Sequence, residues 1–467
     1  MNKERIKNVL LVFLVAINFI LGSKILIDKK LWPDGYNFFS NTENWEIARL
    51  FNNIKDYFSR DNAYKLRLLN PERIVINTGD QTTRLSLNSS NAEFDGIWDE
   101  ADAILQESFS DENASVVLVE EKEFYSVLNT NSLYLEFSAQ YTPDLFSGLL
   151  GTENKNLKEN NQKFSNIVIS YSPRASVYFW DVENNLYYKI SVAKNCEELV
   201  RKVGECIDEK EEQTSDVINY SYDLKFNEPF GNQKTTLNPL IQIYSNTEPY
   251  PVIYAKNPVI KEDMTINDNM VDKLLELFNI NSSKMSHYTE AGGKMVFVEN
   301  NAILKISKDA ILEYEITDSN TAEKNEYILI SDIANLADGI NKIAGNDEAM
   351  MLVDIEQNAQ GSICFDYMAE GLRVKIESDK MEHGVEAKVE NKKLKSFKQV
   401  IRSYKKTAEK STPQEFLKSL DDAISSYSVF MNEIKIDKMY LGYKDNLIDS
   451  QKNAVWNVSV NNVIVGE

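Results

Sequence analysis

Histidine is almost absent from this sequence, with His287 and His383 the only two in 467 residues. Two histidines and no cysteine cluster cannot build a usual zinc site without carboxylates, and no spacing singles any out. Neither histidine falls in a recognisable triad, and no G-x-S-x-G nucleophile elbow occurs. Three cysteines exclude a disulfide framework. Cys196 and Cys206 lie in Lys194–Glu209, read as a helix with Cys196, Leu199, Val200, Val203 and Ile207 on one face. Ten residues at ~1.5 Å each put the two sulfurs about 15 Å apart along the axis, too far to bridge. Cys364 stands alone in an apolar strand, so all three read as small buried hydrophobes. Glycine, with 17 residues, is scarce, against an ordinary usage of about 7%; no glycine-rich phosphate cradle is present. Positive charge is short as well: 51 basic residues against 72 acidic give −21. Such a surface repels phosphate backbones and anionic headgroups, which excludes nucleic acid as a partner.

What the sequence does have is apolar material, 43% hydrophobic and 10% aromatic, enough to fill two to four folded cores. The first feature along the chain is an apolar run from Val9 to Ile27, broken by Asn18, Ser23 and Lys24, long enough to cross ~30 Å of hydrocarbon. Lys24 near its far end and Trp32 and Tyr36 beyond it suit an interface. The small-residue cleavage pattern of a signal peptide is missing around Gly22–Ser23, so the run is expected to be a retained anchor. Lysine and arginine flank both ends almost equally. The seven-residue head before so large a remainder places the bulk outside the cytoplasmic membrane. Leu11, Leu14, Asn18 and Leu21 form a stripe at three-and-four spacing. Asn18, near the bilayer midplane, either turns toward a partner helix or bonds back to its own.

Beyond the anchor the pattern predicts an α+β protein: a single N-terminal transmembrane helix, then about three extracytoplasmic units of antiparallel sheet with helices. The expected division is a head at 1–7, the transmembrane helix at 8–27, a linker at 28–41, an N-terminal α+β domain at 42–235, a middle unit at 245–345 and a C-terminal unit at 350–467. Helices are predicted at Trp45–Phe58, Ile97–Phe109, Thr265–Phe278 and Ser331–Ile343. Another starts at Thr412-Pro413-Gln414-Glu415, with threonine cap and proline at the first position, and runs to about Tyr427. Leu133, Leu135 and Phe137 alternate with Tyr134, Glu136 and Ser138, a half-buried strand. Asn184–Asn185 and Asn300–Asn301 each sit between two strands as hairpin turns. Glu228–Pro258 holds five of the ten prolines and carries a boundary.

Little in the remaining residues points to chemistry. Asp99 with Glu100, and Asp421 with Asp422, read as solvated helix faces. The aromatics of Tyr171–Tyr188 either line a groove for a sugar or peptide or pack a core. A basic run of Lys388, Lys392, Lys393, Lys395, Lys398, Arg402, Lys405, Lys406 and Lys410 either docks an acidic partner or membrane, or is the outer face of an edge strand. No catalytic, cofactor-binding or metal-binding residue is expected.

Four patches carry a resemblance. They are Asn70-Pro71-Glu72-Arg73-Ile74-Val75; Leu133–Phe137 followed by Tyr141-Thr142-Pro143-Asp144-Leu145-Phe146; Phe297–Ile306 followed by Ile311-Leu312-Glu313-Tyr314; and Tyr440-Leu441-Gly442-Tyr443 followed by Val455-Trp456. Together with the anchor, the arrangement resembles the YycH/YycI regulators of the WalK–WalR (YycG–YycF) two-component system. The resemblance implies a non-enzymatic regulator with its bulk outside the membrane. It would hold a sensor histidine kinase through transmembrane contacts, beside a YycI-like sister protein. The stripe Leu11, Leu14, Asn18 and Leu21 is then the expected kinase-facing surface. The other reading of the residues is a membrane-tethered binding protein for a cell-wall fragment or peptide.

Overall fold

The computed structural model describes residues 68–461 apart from short internal stretches, the longest of them 153–161 and 317–324. The head, the span at 8–27 with Leu11, Leu14, Asn18 and Leu21, the linker and Trp45–Phe58 lie outside the described residues. So does the turn Asn300–Asn301.

The first unit is a seven-stranded antiparallel sheet clothed in helices. In chain order it contains β1 (Arg73–Thr78), β2 (Arg84–Leu87), α1 (Phe94–Ser110), β3 (Val116–Val119), α2 (Glu121–Val127), β4 (Asn131–Tyr141), α3 (Pro143–Leu150), β5 (Phe164–Ser170), β6 (Ser176–Asp181), β7 (Leu186–Ser191) and α4 (Glu197–Glu211). Its strand order is β2-β1-β4-β5-β6-β7-β3. Local chemistry sets several boundaries. Thr142 accepts a hydrogen bond from the Leu145 amide, Pro143 opens α3, and Gly151 ends it at φ 78°, where a side chain would be strained. Asn185 takes φ 52° in the β6–β7 turn, as its tolerance of the left-handed region allows.

α1 buries Ile97, Trp98, Ala101, Ile104, Leu105 and Phe109 against the sheet. Leu133, Leu135 and Phe137 of β4 join that core. Tyr134 on the other face is only 1% exposed, packed with Val75, Val168 and Tyr178 beneath Phe124 and Tyr125 of α2. β4 is therefore buried on both faces, not one, because α2 covers the side expected to meet water. α4 begins at Glu197, later than predicted. Cys206 lies in its core face, while Val200 is half exposed at 47%.

The proline-bearing stretch after α4 does not merely link. β8 (Ile218–Tyr220), β9 (Thr235–Leu237), β10 (Gln242–Tyr244) and β11 (Tyr250–Lys256) tie it to the C-terminal part of the chain. The rest of the described chain comprises α5 (Asp268–Leu277), β12 (Ser286–Thr289), β13 (Met295–Glu299), β14 (Ala302–Ile306), β15 (Ile311–Ile316), α6 (Glu326–Ala344), β16 (Met351–Ile355), β17 (Gln360–Ala369), β18 (Leu372–Ile376), β19 (Val385–Glu390), β20 (Lys393–Val400), β21 (Ser403–Ser411), α7 (Phe416–Ser428), β22 (Ile434–Asp445), β23 (Ser450–Lys452) and β24 (Val455–Asn461). α7 starts after the Thr412–Glu415 signal, with the Glu415 carbonyl accepting from the Ser419 amide.

A twelve-stranded sheet runs β12-β13-β14-β15-β20-β19-β17-β18-β22-β24, with β16 on β17 and β9 on β22. It passes straight through the division at 345–350, since β15 pairs with β20. Two of its pairs are parallel, β18 with β22 and β9 with β22, where the sequence pattern predicts antiparallel pairing alone. α6 buries Leu329, Ile330, Ile333, Leu336, Ala337 and Ile340, an apolar stripe at three-and-four spacing. It touches the first unit as well: a Cβ on Gly148 of α3 would stand 2.5 Å from the Tyr327 ring.

The Tyr440–Tyr443 ending has a physical role here. A Cβ on Gly442 would lie 2.6 Å from the Arg373 carbonyl, so glycine lets β22 approach β18. Tyr443 donates its hydroxyl to the Pro251 carbonyl at 2.7 Å, tying β22 to β11.

The basic run needs a correction. β20 is an interior strand between β15 and β19, and only β21 is an edge. Arg402 between them is fully buried. Its guanidinium meets Asp445 at 2.9 Å and Asp449 at 2.7 Å. Lys452 and the Tyr404 hydroxyl also bond Asp445, at 3.3 and 2.9 Å.

Candidate functional site

The richest polar constellation in the described chain lies where the first sheet meets the large one. β1 and β4 set Arg73 directly opposite Glu136, with Arg73 Nε 3.8 Å from Glu136 Oε2. The same guanidinium donates to Gln242 Oε1 at 3.1 Å and Tyr244 Oη at 2.5 Å on β10. A break in the β4–β5 register after Glu136 turns the next carbonyls toward β22. Lys438 Nζ donates to the carbonyls of Phe137 at 3.2 Å and Ser138 at 3.0 Å. Ser138 Oγ donates to Glu72 Oε2 at 2.5 Å.

From Glu72 the seam continues into the large sheet. Arg373 of β18 stacks over the Tyr440 ring at 5.1 Å and holds Asp366 of β17 at 2.6 Å. The other Asp366 oxygen accepts the Gly384 amide at 3.0 Å and lies 3.3 Å from His383 Nδ1. Three acids, Glu72, Glu136 and Asp366, thus balance Arg73, Lys438 and Arg373, with His383 at the end.

The environment sets the protonation of each group. Burial alone would push Asp366 up, but Arg373, His383 and the Gly384 amide outweigh it and hold the carboxyl below the usual range. For His383 burial pulls down, and the bond to Asp366 wins, leaving the imidazole above 6.5. Burial pushes Glu136 up against the pull of Arg73. It holds the Lys438 ammonium below the usual lysine range, despite Glu72 and Glu136.

This geometry orients two sheets. His383 faces a carboxylate whose next partner is an arginine, and the Ser138 hydroxyl donates a hydrogen bond to Glu72. Charges buried with matched, hydrogen-bonded partners fix geometry because any other alignment strands one of them.

The residues singled out in the sequence are scattered. His287 is exposed on β12. Among the described residues no three His, Cys, Asp or Glu side chains converge for a metal. Tyr171, Tyr178, Phe179, Trp180, Tyr187 and Tyr188 are all buried, so that aromatic stretch packs a core and does not line a groove. Cys196, Cys206 and Cys364 are buried thiols. Asp99, Asp421 and Asp422 are exposed, and Glu100 pairs with Lys202 at 2.9 Å. Sequence patterning does not pick out the seam residues as a group. Their one sequence signal is a charge inside an apolar strand, as with Glu136 in Leu133–Phe137; Lys438 lacks even that, since Lys435 and Asp437 stand beside it.

With this geometry in view, comparison with known proteins defines a class by fold. No family model matches the sequence, and no curated protein does. Among solved structures, YycH from Bacillus subtilis is similar with a TM-score of 0.55 and 12% identity, over 85% of this chain and 95% of that one. An uncharacterized protein from Eubacterium rectale aligns over 50% of this chain and 83% of its own, at 12% identity and a TM-score of 0.26, which carries no argument. The fold is YycH-like: α+β, with antiparallel sheets and helices.

Proposed function

We propose that this protein is a non-enzymatic, membrane-anchored regulator whose bulk lies outside the cytoplasmic membrane. It modulates a WalK/YycG-like sensor histidine kinase through transmembrane-helix contacts, beside a YycI-like sister protein. The observation that carries the reading is the YycH-like fold over 85% of the chain. The apolar run Val9–Ile27 supports the anchor, and Leu11, Leu14, Asn18 and Leu21 are its contact stripe. The ionic seam supports a regulatory role in a simple way: it ties the two sheets to each other.

The other reading, a tethered binding protein using the aromatics of Tyr171–Tyr188, loses its groove because those rings are buried.

Co-purification of the kinase with wild-type and Asn18→Leu protein at matched expression tests the stripe. A bond between helices in lipid is worth roughly 0.6 kcal/mol and reaches ~1–2, so recovery is expected to fall severalfold. Equal recovery refutes the role of Asn18. Equal recovery after exchange of the whole span for an unrelated one refutes the anchor mechanism. Alkaline phosphatase fused to the C-terminus is expected to be active, and an inactive fusion reverses the orientation.

A further inference from the structure

Three places outside the seam are candidates for a role: the apolar edge strand β3, the exposed edge β12 and a basic cavity over β11 and β21. The cavity is carried furthest by its geometry. β11 pairs Tyr254 with Lys405 and Lys256 with Ser403, so these four side chains share one face of the three-stranded sheet. The opposite face, through Ile253 and Ala255, is fully buried in the core, which makes the platform rigid. The chain leaving β11 folds over its end, and Pro258, Ile260, Lys261 and Glu262 wall a cavity of about 430 Å³. Asn267 and Ala344 complete the lining.

Three lysines thus face one acid, a local surplus of two positive charges on a chain of net charge −21. Lys261 lies 3.4 Å from Asp268, and both are solvent-exposed. Among the described residues, Lys256 and Lys405 have no acidic partner within ion-pair distance. That contrasts with Lys406 on the same strand, whose ammonium is bonded to Glu370. Lys256 and Lys405 are diagonal neighbours across the β11–β21 pair, which sets their backbone positions roughly 7–8 Å apart and lets their like charges repel. An anion between them removes that repulsion.

We propose that this cavity binds a small phosphate-bearing ligand, with Lys256 and Lys405 on the phosphate oxygens and the ligand's ring or apolar part against Tyr254 and Ile260. Phosphate is favoured over carboxylate because the cationic lining is all lysine. An ammonium is a point charge that suits divergent tetrahedral oxygens, whereas planar carboxylate recognition draws on the arginine fork. Tyr254, at 41% exposure, offers a ring face beside the two charges. The proposal is independent of any kinase contact, since the cavity is complete within this one chain.

The test is calorimetric titration of the full-length chain in detergent at about 0.15 M ionic strength. Inorganic pyrophosphate, glycerol phosphate and citrate serve as probes. Saturable pyrophosphate or glycerol phosphate binding is expected. The better of the two shows whether a compact phosphate or a headgroup-like ester is the natural shape. Lys256→Gln/Lys405→Gln is expected to weaken binding about tenfold to a hundredfold, and Lys406→Gln to leave it unchanged. Absence of binding by both phosphates, binding indifferent to the double substitution, or citrate binding as tightly as pyrophosphate each overturns the proposal. Wild-type thermal unfolding of the double variant shows that lost binding is not lost folding.

Discussion

Replacing Arg402 by Met should cost the protein about 3 kcal/mol, and the structure says why it is not more. The guanidinium is fully buried, with two contacts to Asp445 at 2.9 and 3.4 Å, one to Asp449 at 2.7 Å and one to the Ile448 carbonyl at 3.2 Å. Met keeps the aliphatic stem and removes all four. Breaking a buried pair from one side costs roughly 3–5 kcal/mol, because the survivor is left charged in a poor solvent. Here the survivor is not wholly abandoned. Asp445 keeps the Lys452 ammonium at 3.3 Å, the Tyr404 hydroxyl at 2.9 Å and the Leu447 amide at 2.9 Å, which places the loss at the lower end of that range.

Asp445→Asn attacks the same pair from the other side and leaves Arg402 with Asp449, which is 39% exposed. The double variant should lose less than the sum of the singles, by about 0.5–3 kcal/mol, because each single already forfeits the shared bond. Urea unfolding of the full-length chain, followed by near-ultraviolet circular dichroism, gives all three numbers. An Arg402→Met change below about 1 kcal/mol, or strict additivity of the two singles, refutes the clamp.

Three further outcomes rest on the same structure. His383 holds its proton above its ordinary value of 6.5, so the stability it supplies is complete below that pH and is lost as pH rises through the folded value. Unfolding free energy should therefore fall from about pH 6 to pH 8 more steeply in the native chain than in His383→Asn, and parallel curves refute the assignment. Gly371→Ala should cost about 2–4 kcal/mol by thermal unfolding, since φ there is +75° and the new Cβ would meet the Ser90 amide nitrogen at 2.5 Å. All three thiols should resist Ellman's reagent in the folded chain and react in denaturant, burial having pushed Cys364 up to about 12; a fast native thiol contradicts this.

How much was legible in the sequence depends on how far apart the cooperating residues are. α1 reads directly because its face repeats within 16 residues, and the β6–β7 hairpin reads because Asn184–Asn185 supplies its own turn. α3 is not among the predicted helices, although Thr142 caps it and Pro143 opens it. The Thr412-Pro413 signal misleads by position: the helix begins only at Phe416, with the Glu415 carbonyl accepting its first bond. Pairing of β15 with β20 is invisible, since Tyr314 and Phe397 come together only after α6 and four strands have been laid down between them. A division at 345–350 therefore looks natural in the sequence, although the sheet runs through it.

The seam and the Arg402 clamp show the other limit. In a strand, alternation tells which residues share a face, but not whether another sheet covers that face. Lys438 and Arg402 sit among lysines that are solvated, and nothing local separates them. What separates them is the partner: Lys438 finds two carbonyls freed by the break in β4, and Arg402 finds Asp445 and Asp449. In both places the acids and bases are nearly matched, so the buried groups contribute little to the charge of −21. The acidic surplus must lie largely on the exposed surface, where it sets the long-range field. Against that field, Lys256 and Lys405 over β11 and β21 form a local basic patch at the mouth of the cavity.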